Sequence, residues 1–248
     1  MGKVTLRERG IAFGKHVLFS VGLLLLALGV VFGLWYPPEL VPATSIKNFL
    51  LVMLGVDLVL GPVLTFIVYK HERKKLLFDL SVILLVQLLA YGYGLWSMAK
   101  SRPVWLAFVV DDFELVRQSD VYQPERLSPQ SPYRMSYARG PQWVVANFST
   151  DPAIRNQQRN DEMFNGISLA RRPETYAPIG SAQARILKKI HPLEGLKTYN
   201  PPAVVDRLKQ QHPEATGWLP LKGISRDLVV LINQQGAPVD VVALNPWD

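Results

Sequence analysis

The first hundred residues alternate three long apolar runs with short polar breaks, whereas the remainder mixes brief apolar stretches with Pro, Ser, Arg and Gln. The runs lie at about residues 16–36, 49–69 and 76–98. Each has about the 20 residues that cross about 30 Å of hydrocarbon as a helix rising about 1.5 Å per residue. The second and third are joined by the basic turn Lys70-His71-Glu72-Arg73-Lys74-Lys75, which predicts a transmembrane hairpin. The first follows Lys3, Arg7, Arg9 and Lys15 and ends in Phe32, Trp35 and Tyr36 before Pro37-Pro38, without a small-residue cleavage site. It therefore reads as an uncleaved anchor with an aromatic belt at its far end.

Beyond Lys100 the pattern changes. Pro103 to Val110 has the β-branched and aromatic content of a strand, Asp111-Asp112 reads as a turn, and Phe113 to Val116 continues as its pair. Pro124 to Pro141 reads as a loop and Gln142 to Phe148 as another strand. Asp151-Pro152 resembles an N-cap followed by proline at N1, opening a polar helix towards Phe164. Ser181 to Ile190 and Pro202 to Gln211 read as short amphipathic helices, each stopping at a His-Pro step. Asp227 to Ile232 and Pro238 to Leu244, separated by Asn233-Gln234-Gln235-Gly236, carry a hairpin signal. The predicted fold class is three transmembrane α-helices followed by a small α+β extramembrane domain. Residues 1–100 form the membrane part and residues 101–248 the rest.

Charge adds topology. The net charge of +7 divides into 9 basic and 5 acidic residues over residues 1–99 and 18 and 15 over residues 100–248, so neither part carries the dense basic patch of a nucleic-acid binder. Four basic residues precede the first helix, one (Lys47) lies in the following loop and four lie in the turn after the second. By the positive-inside rule the amino terminus and the basic turn are cytoplasmic, and three crossings place the carboxyl domain on the other side. The chain has no cysteine, which excludes disulfides, thiolate catalysis and zinc ribbons.

Within the hairpin, Asp57 with Gly61-Pro62, and Asp79 with Gln87, stand out as candidate partner-binding residues. A carboxylate in hydrocarbon costs roughly 2.5–3.5 kcal/mol on insertion scales, so it faces protein or water. Asp57 is 12 residues from Tyr69, about 18 Å of helix and near mid-membrane. Pro62 leaves the carbonyl four residues back without its helical donor, which predicts a bend beside Asp57. Asp79 lies three positions into its helix, where it either snorkels to the interface or meets a partner. About 13 Å of axial offset between the two aspartates argues against the proton-sharing dyad of an intramembrane protease. G-x-S-x-G, P-loop and H-E-x-x-H motifs are absent. His16, His71, His191 and His212 read as surface or capping residues, and Asp111, Asp112 and Glu114 as a solvated turn. No enzyme, metal or cofactor is expected.

Leu54-Gly55-Val56-Asp57-Leu58-Val59-Leu60-Gly61-Pro62-Val63-Leu64-Thr65 with Leu77-Phe78-Asp79-Leu80 resembles the membrane hairpin of the TfpX/TfpZ type IV pilin accessory proteins. Arg102-Pro103-Val104, Phe108 to Val116, Leu219-Pro220-Leu221 and Asn245-Pro246-Trp247 are similar to that family as well. The resemblance spans the whole layout and is weakest across residues 120–215. It implies a multi-pass inner-membrane protein with a periplasmic carboxyl domain. Such a protein assists a cognate type IV pilin in stability, assembly or surface display, without catalysis of its own. Strands near Val104 and Val241 are then expected to meet the pilin head. The alternative is a membrane-anchored periplasmic sensor or scaffold.

Overall fold

A computed structural model of the chain describes residues 5–69, 73–123, 125 and 127–247, without the side chains of Asp57, Arg73, Lys74, Lys75 and Leu77. Lys70, His71 and Glu72 of the basic turn therefore lie outside the described residues. The fold class is that of the sequence: three long apolar helices, then a mixed sheet with helices. The chain divides into two compact units, one made of residues 1–34 and 46–100, the other of residues 35–45 and 101–248.

In the first unit, α1 (Leu6–Val30) begins ten residues before His16, where Thr5 and Glu8 form a reciprocal capping box that closes the free N–H groups of the first turn. A π turn, Val31–Trp35, prolongs it. The second crossing comprises α2 (Ile46–Leu54), a π turn at Gly55–Leu60 and α3 (Gly61–Val68). The Gly61 N–H reaches the Val56 carbonyl five residues back, so the register slips immediately before Pro62, which has no N–H to donate. The irregularity expected at Asp57 thus takes the form of a widened turn. The third crossing is α4 (Arg73–Ser101). Leu6–Trp35, Ile46–Val68 and Phe78–Ser101 are each long and apolar enough to span a membrane.

The second unit is built on an eight-stranded sheet. In chain order its strands are β1 (Pro103–Val109), β2 (Asp112–Arg117), β3 (Gln142–Ala146), β4 (Tyr176–Pro178), β5 (His191–Pro192), β6 (Ala215–Lys222), β7 (Leu228–Asn233) and β8 (Pro238–Val242). They lie in the order β4-β3-β1-β2-β6-β7-β8, with β5 on β6. β1 and β2 form the expected hairpin, and β3 runs parallel to β1. The β7–β8 hairpin turns on Gly236 at φ 77°, a left-handed conformation that a side chain resists.

Both faces of the sheet are covered. Leu106, Phe108, Phe113, Leu115, Leu221 and Val230 point into one core, while Val104, Ala107, Val109 and Val144 point into a second and Trp218, Val229 and Leu231 into a third. That is why β1 and β7 read as unbroken apolar runs rather than as alternation. Two helices pack on the sheet: α6 (Gln183–Leu187) buries Ile186 in the first core, and α7 (Pro202–Gln211) buries Val205 and Leu208 in the third, while α5 (Pro152–Asn165), capped by Asp151, buries the polar Gln158. The helix expected over Ser181 to Ile190 is shorter, because a 3-10 turn at Ile179–Ala182 precedes α6 and His191-Pro192 becomes β5.

Sequence reasoning missed β6, whose Gly217 and Pro220 look like breakers. One side of β6 is paired with β7 without a break from Gly217 to Leu221; the other meets β5 at Gly217 and Trp218 and β2 at Leu221 and Lys222. Pro220 falls in the gap between these two partners, where a missing donor costs nothing. The first loop is the other surprise. Its 3-10 turn, Pro38–Ala43, buries Leu40 and Ala43 in the sheet's first core, and the Ala43 carbonyl accepts from the N–H groups of Ile224 (2.8 Å) and Ser225 (3.0 Å). Leu40→Ala is therefore expected to destabilise this unit by about 2–4 kcal/mol in denaturant unfolding of the full-length protein in detergent. Val204→Ala, at a half-exposed site on α7, is expected to cost under about 1 kcal/mol. Equal costs would show that the loop is not part of the core.

Candidate functional site

One polar cluster draws on every crossing of the first unit. His16 and Ser20 lie one turn apart on α1, Thr65 on α3 and Gln87 on α4. His16 Nε2 is 2.5 Å from Gln87 Oε1, and Nδ1 is 2.6 Å from Thr65 Oγ1. Gln87 Nε2 donates to Ser20 Oγ at 3.0 Å. An amide oxygen only accepts, so His16 donates through Nε2, and in neutral imidazole Nδ1 accepts the Thr65 hydroxyl proton. The chain of donors runs Thr65, His16, Gln87, Ser20 without a conflict. Ser20, Thr65 and Gln87 are at most 3% exposed, so this polarity is enclosed by protein.

Gly61 makes the approach possible. A Cβ there would lie 2.6 Å from Gln87 Oε1 and 2.9 Å from His16 Nε2, closer than atoms can sit. Thr65 follows one turn later on the same face, so the glycine admits the ring and the threonine bonds it. The Tyr91 hydroxyl donates to the Leu23 carbonyl at 2.9 Å, and Phe13 meets Phe66 edge-on, extending the seam. Beside the cluster lies a groove of about 440 Å³ lined by Lys15, His16, Thr65, Leu80 and Leu84 among others. A second groove, of about 430 Å³ and almost wholly apolar, lies along Phe49, Val52, Ala90 and Gly94.

Of the residues singled out in the sequence, Gly61, Pro62 and Gln87 are buried, and Gly61 and Gln87 meet in this cluster. Asp79 is partly buried on α4. Asp57 has its backbone in the π turn, and its side chain lies outside the described residues. His16 is no surface residue: it is the hub. The missed signal was spacing, because His16 and Ser20 share a helix face and Gly61 and Thr65 share another. Among the described residues no three His, Cys, Asp or Glu side chains converge as metal ligands.

The second unit has its own polar anchor. Arg102, fully buried, bonds Gln118 and the Ser136 carbonyl (2.9 Å) and stacks over Tyr137 at 4.5 Å. Trp35 Nε1 donates to the Tyr137 carbonyl at 2.9 Å, and Tyr36 is buried nearby. Burial lowers the Arg102 pKa against the opposing pull of Tyr137 and Tyr36, and burial pushes the Tyr36 phenol up. Val104 and Val241, near which pilin contact is expected, are buried. The large exposed side chains include Met163 and Phe164 at the end of α5.

An apolar three-crossing unit with one shared polar cluster, followed by a folded extramembrane unit, defines a membrane-anchored protein. Over 115 residues the chain is 33% identical to a fimbrial assembly protein of serogroups C1 and C2 from Dichelobacter nodosus, a match covering 45% of this chain and 87% of that one. It is 29% and 28% identical over 183 residues to the serogroup E1 and serogroup I fimbrial assembly proteins of the same organism, covering 73% of this chain and 70% of each relative. No protein-family model and no solved structure matches it. The chain belongs to the family of these fimbrial assembly proteins.

Each interhelical hydrogen bond of the cluster is expected to contribute about 1 kcal/mol. In an SDS-unfolding double-mutant cycle, His16→Ala and Gln87→Ala are expected to couple by about that amount. Strict additivity would mean that the two side chains do not interact in the membrane.

Proposed function

We propose that the protein resides in the inner membrane, binds a cognate type IV pilin, and promotes its stability, assembly or surface display. The observation that carries this reading is the groove beside the His16 cluster, found in a chain of the fimbrial assembly family. A pilin of this class is expected to hold an apolar helix in the same membrane, with a glutamate and a free amino terminus near its cytoplasmic end, and to carry its head outside. The crossings supply an apolar surface with fixed polar groups. Asp57, Gly61, Pro62, Asp79 and Gln87 are the residues through which that surface acts, directly or by setting the helix spacing. The carboxyl domain, periplasmic in this reading, meets the head. Met163 and Phe164, exposed by 74% and 77%, offer anchors of the kind that hold partner surfaces.

Two experiments test this reading. Because the chain lacks cysteine, Ser225→Cys, on an exposed residue, is expected to react with an impermeant maleimide once the outer membrane is opened, whereas His71→Cys is expected to be protected. The reverse pattern would overturn the topology and with it the head contact. Exchanging residues 35–45 and 101–248 together, the whole sheet unit, for those of a relative is expected to switch which pilin is served. Unchanged pilin choice would place specificity elsewhere.

A further inference from the structure

We infer that the groove beside His16 takes the membrane helix of the partner and selects it by a carboxylate that pairs with Lys15; this rests on the pilin reading above. The aromatic end of the first crossing, Trp35, marks one membrane boundary, and 20 residues back along the helix, about 30 Å, the other boundary falls at Lys15. Lys15 is exposed, lines the groove, and has no ion-pair partner among the described residues. The other charged lining residue, Glu8, sits two turns outside that boundary and is engaged in capping α1 through Thr5. Among the described residues the groove therefore presents one available cation at the edge of the hydrocarbon, beside a wall of Leu80, Leu84 and Phe19.

An apolar helix bearing a carboxylate close to its membrane end is complementary to that surface. Its side chains cover the apolar wall, and its carboxylate meets the ammonium where water is scarce, so the pair is stronger than at an open surface. His16 and Thr65, at the wall of the groove, already hydrogen-bond within the protein, so the partner need supply no further polar group there. Lys15 thus discriminates: a helix without the carboxylate leaves a dehydrated cation unpaired.

The test uses full-length protein in native membranes with its pilin coexpressed. A photocrosslinker at Leu84, in the groove, is expected to capture the pilin, and one at the neighbouring Leu85, 58% exposed on another face, is not. Lys15→Glu is expected to lower capture about tenfold, the effect of reversing one charge of a partly dehydrated pair. Lys15→Arg is expected to keep capture within about twofold, and replacing the pilin's membrane carboxylate by lysine is expected to restore capture to Lys15→Glu. Membrane insertion is checked by Ser225→Cys labelling in each variant. Lipid adducts alone from Leu84, or capture insensitive to Lys15→Glu, would overturn the inference while a probe at Phe164 still captures pilin. No capture from either unit would overturn the pilin reading itself.

Discussion

In hydrocarbon a polar side chain has no water to fall back on, so once placed there it must find its partners inside the protein. The first unit depends on how His16 meets this constraint. Its two ring nitrogens reach one group on each of the other two crossings, and Gln87 passes the bonding on to Ser20. Helices that are apolar all round have no hydrophobic reason to choose one register over another in a bilayer. The histidine supplies one, because a rotation or slip of any helix leaves a buried donor or acceptor unmet. Gly61 then sets the spacing, and the groove lined by His16 and Thr65 takes its shape from the same contacts.

The second unit meets a different constraint. Its sheet is buried on both faces, which requires covering elements on each side, and the chain draws one of them from far upstream. Leu40 and Ala43 complete the core over Phe108 and Phe113, and Arg102 gathers Gln118, Ser136 and Tyr137 around the start of β1. Residues 35–45 therefore belong to the sheet unit although they precede two of the crossings. A change in the first loop acts on the stability of the extramembrane fold.

Much of this was legible in the sequence. The three crossings follow from length and hydropathy, and the β1–β2 and β7–β8 hairpins from apolar runs separated by Asp111-Asp112 and by Asn233 to Gly236. The helix after Asp151-Pro152 follows from its cap. What escaped depended on tertiary placement. β6 was hidden because Pro220 is tolerable only where two partner strands leave a gap, and the role of the first loop because Leu40 and Ala43 gain meaning only against a sheet formed more than sixty residues later. The site was half visible. Gln87 and Gly61 stood out as a polar residue and a glycine-proline step in apolar runs, whereas His16 sat at the edge of its run and read as a surface or capping residue; the Thr5-x-x-Glu8 capping box was the local sign that α1 starts at Leu6 and carries His16 within it.

The account makes the His16 cluster the support of a partner-binding surface, so the most direct measurement links one to the other. Full-length protein carrying Gly61→Leu would be compared with the unaltered chain for pilin copurified from crosslinked membranes, at equal amounts of inserted protein. The leucine drives His16 and Gln87 apart without touching the carboxyl domain or the charge of the groove. The account predicts that the unaltered protein brings down pilin and that the variant brings down about tenfold less, the equivalent of about 1.4 kcal/mol of binding. Equal recovery of pilin with both proteins would contradict it.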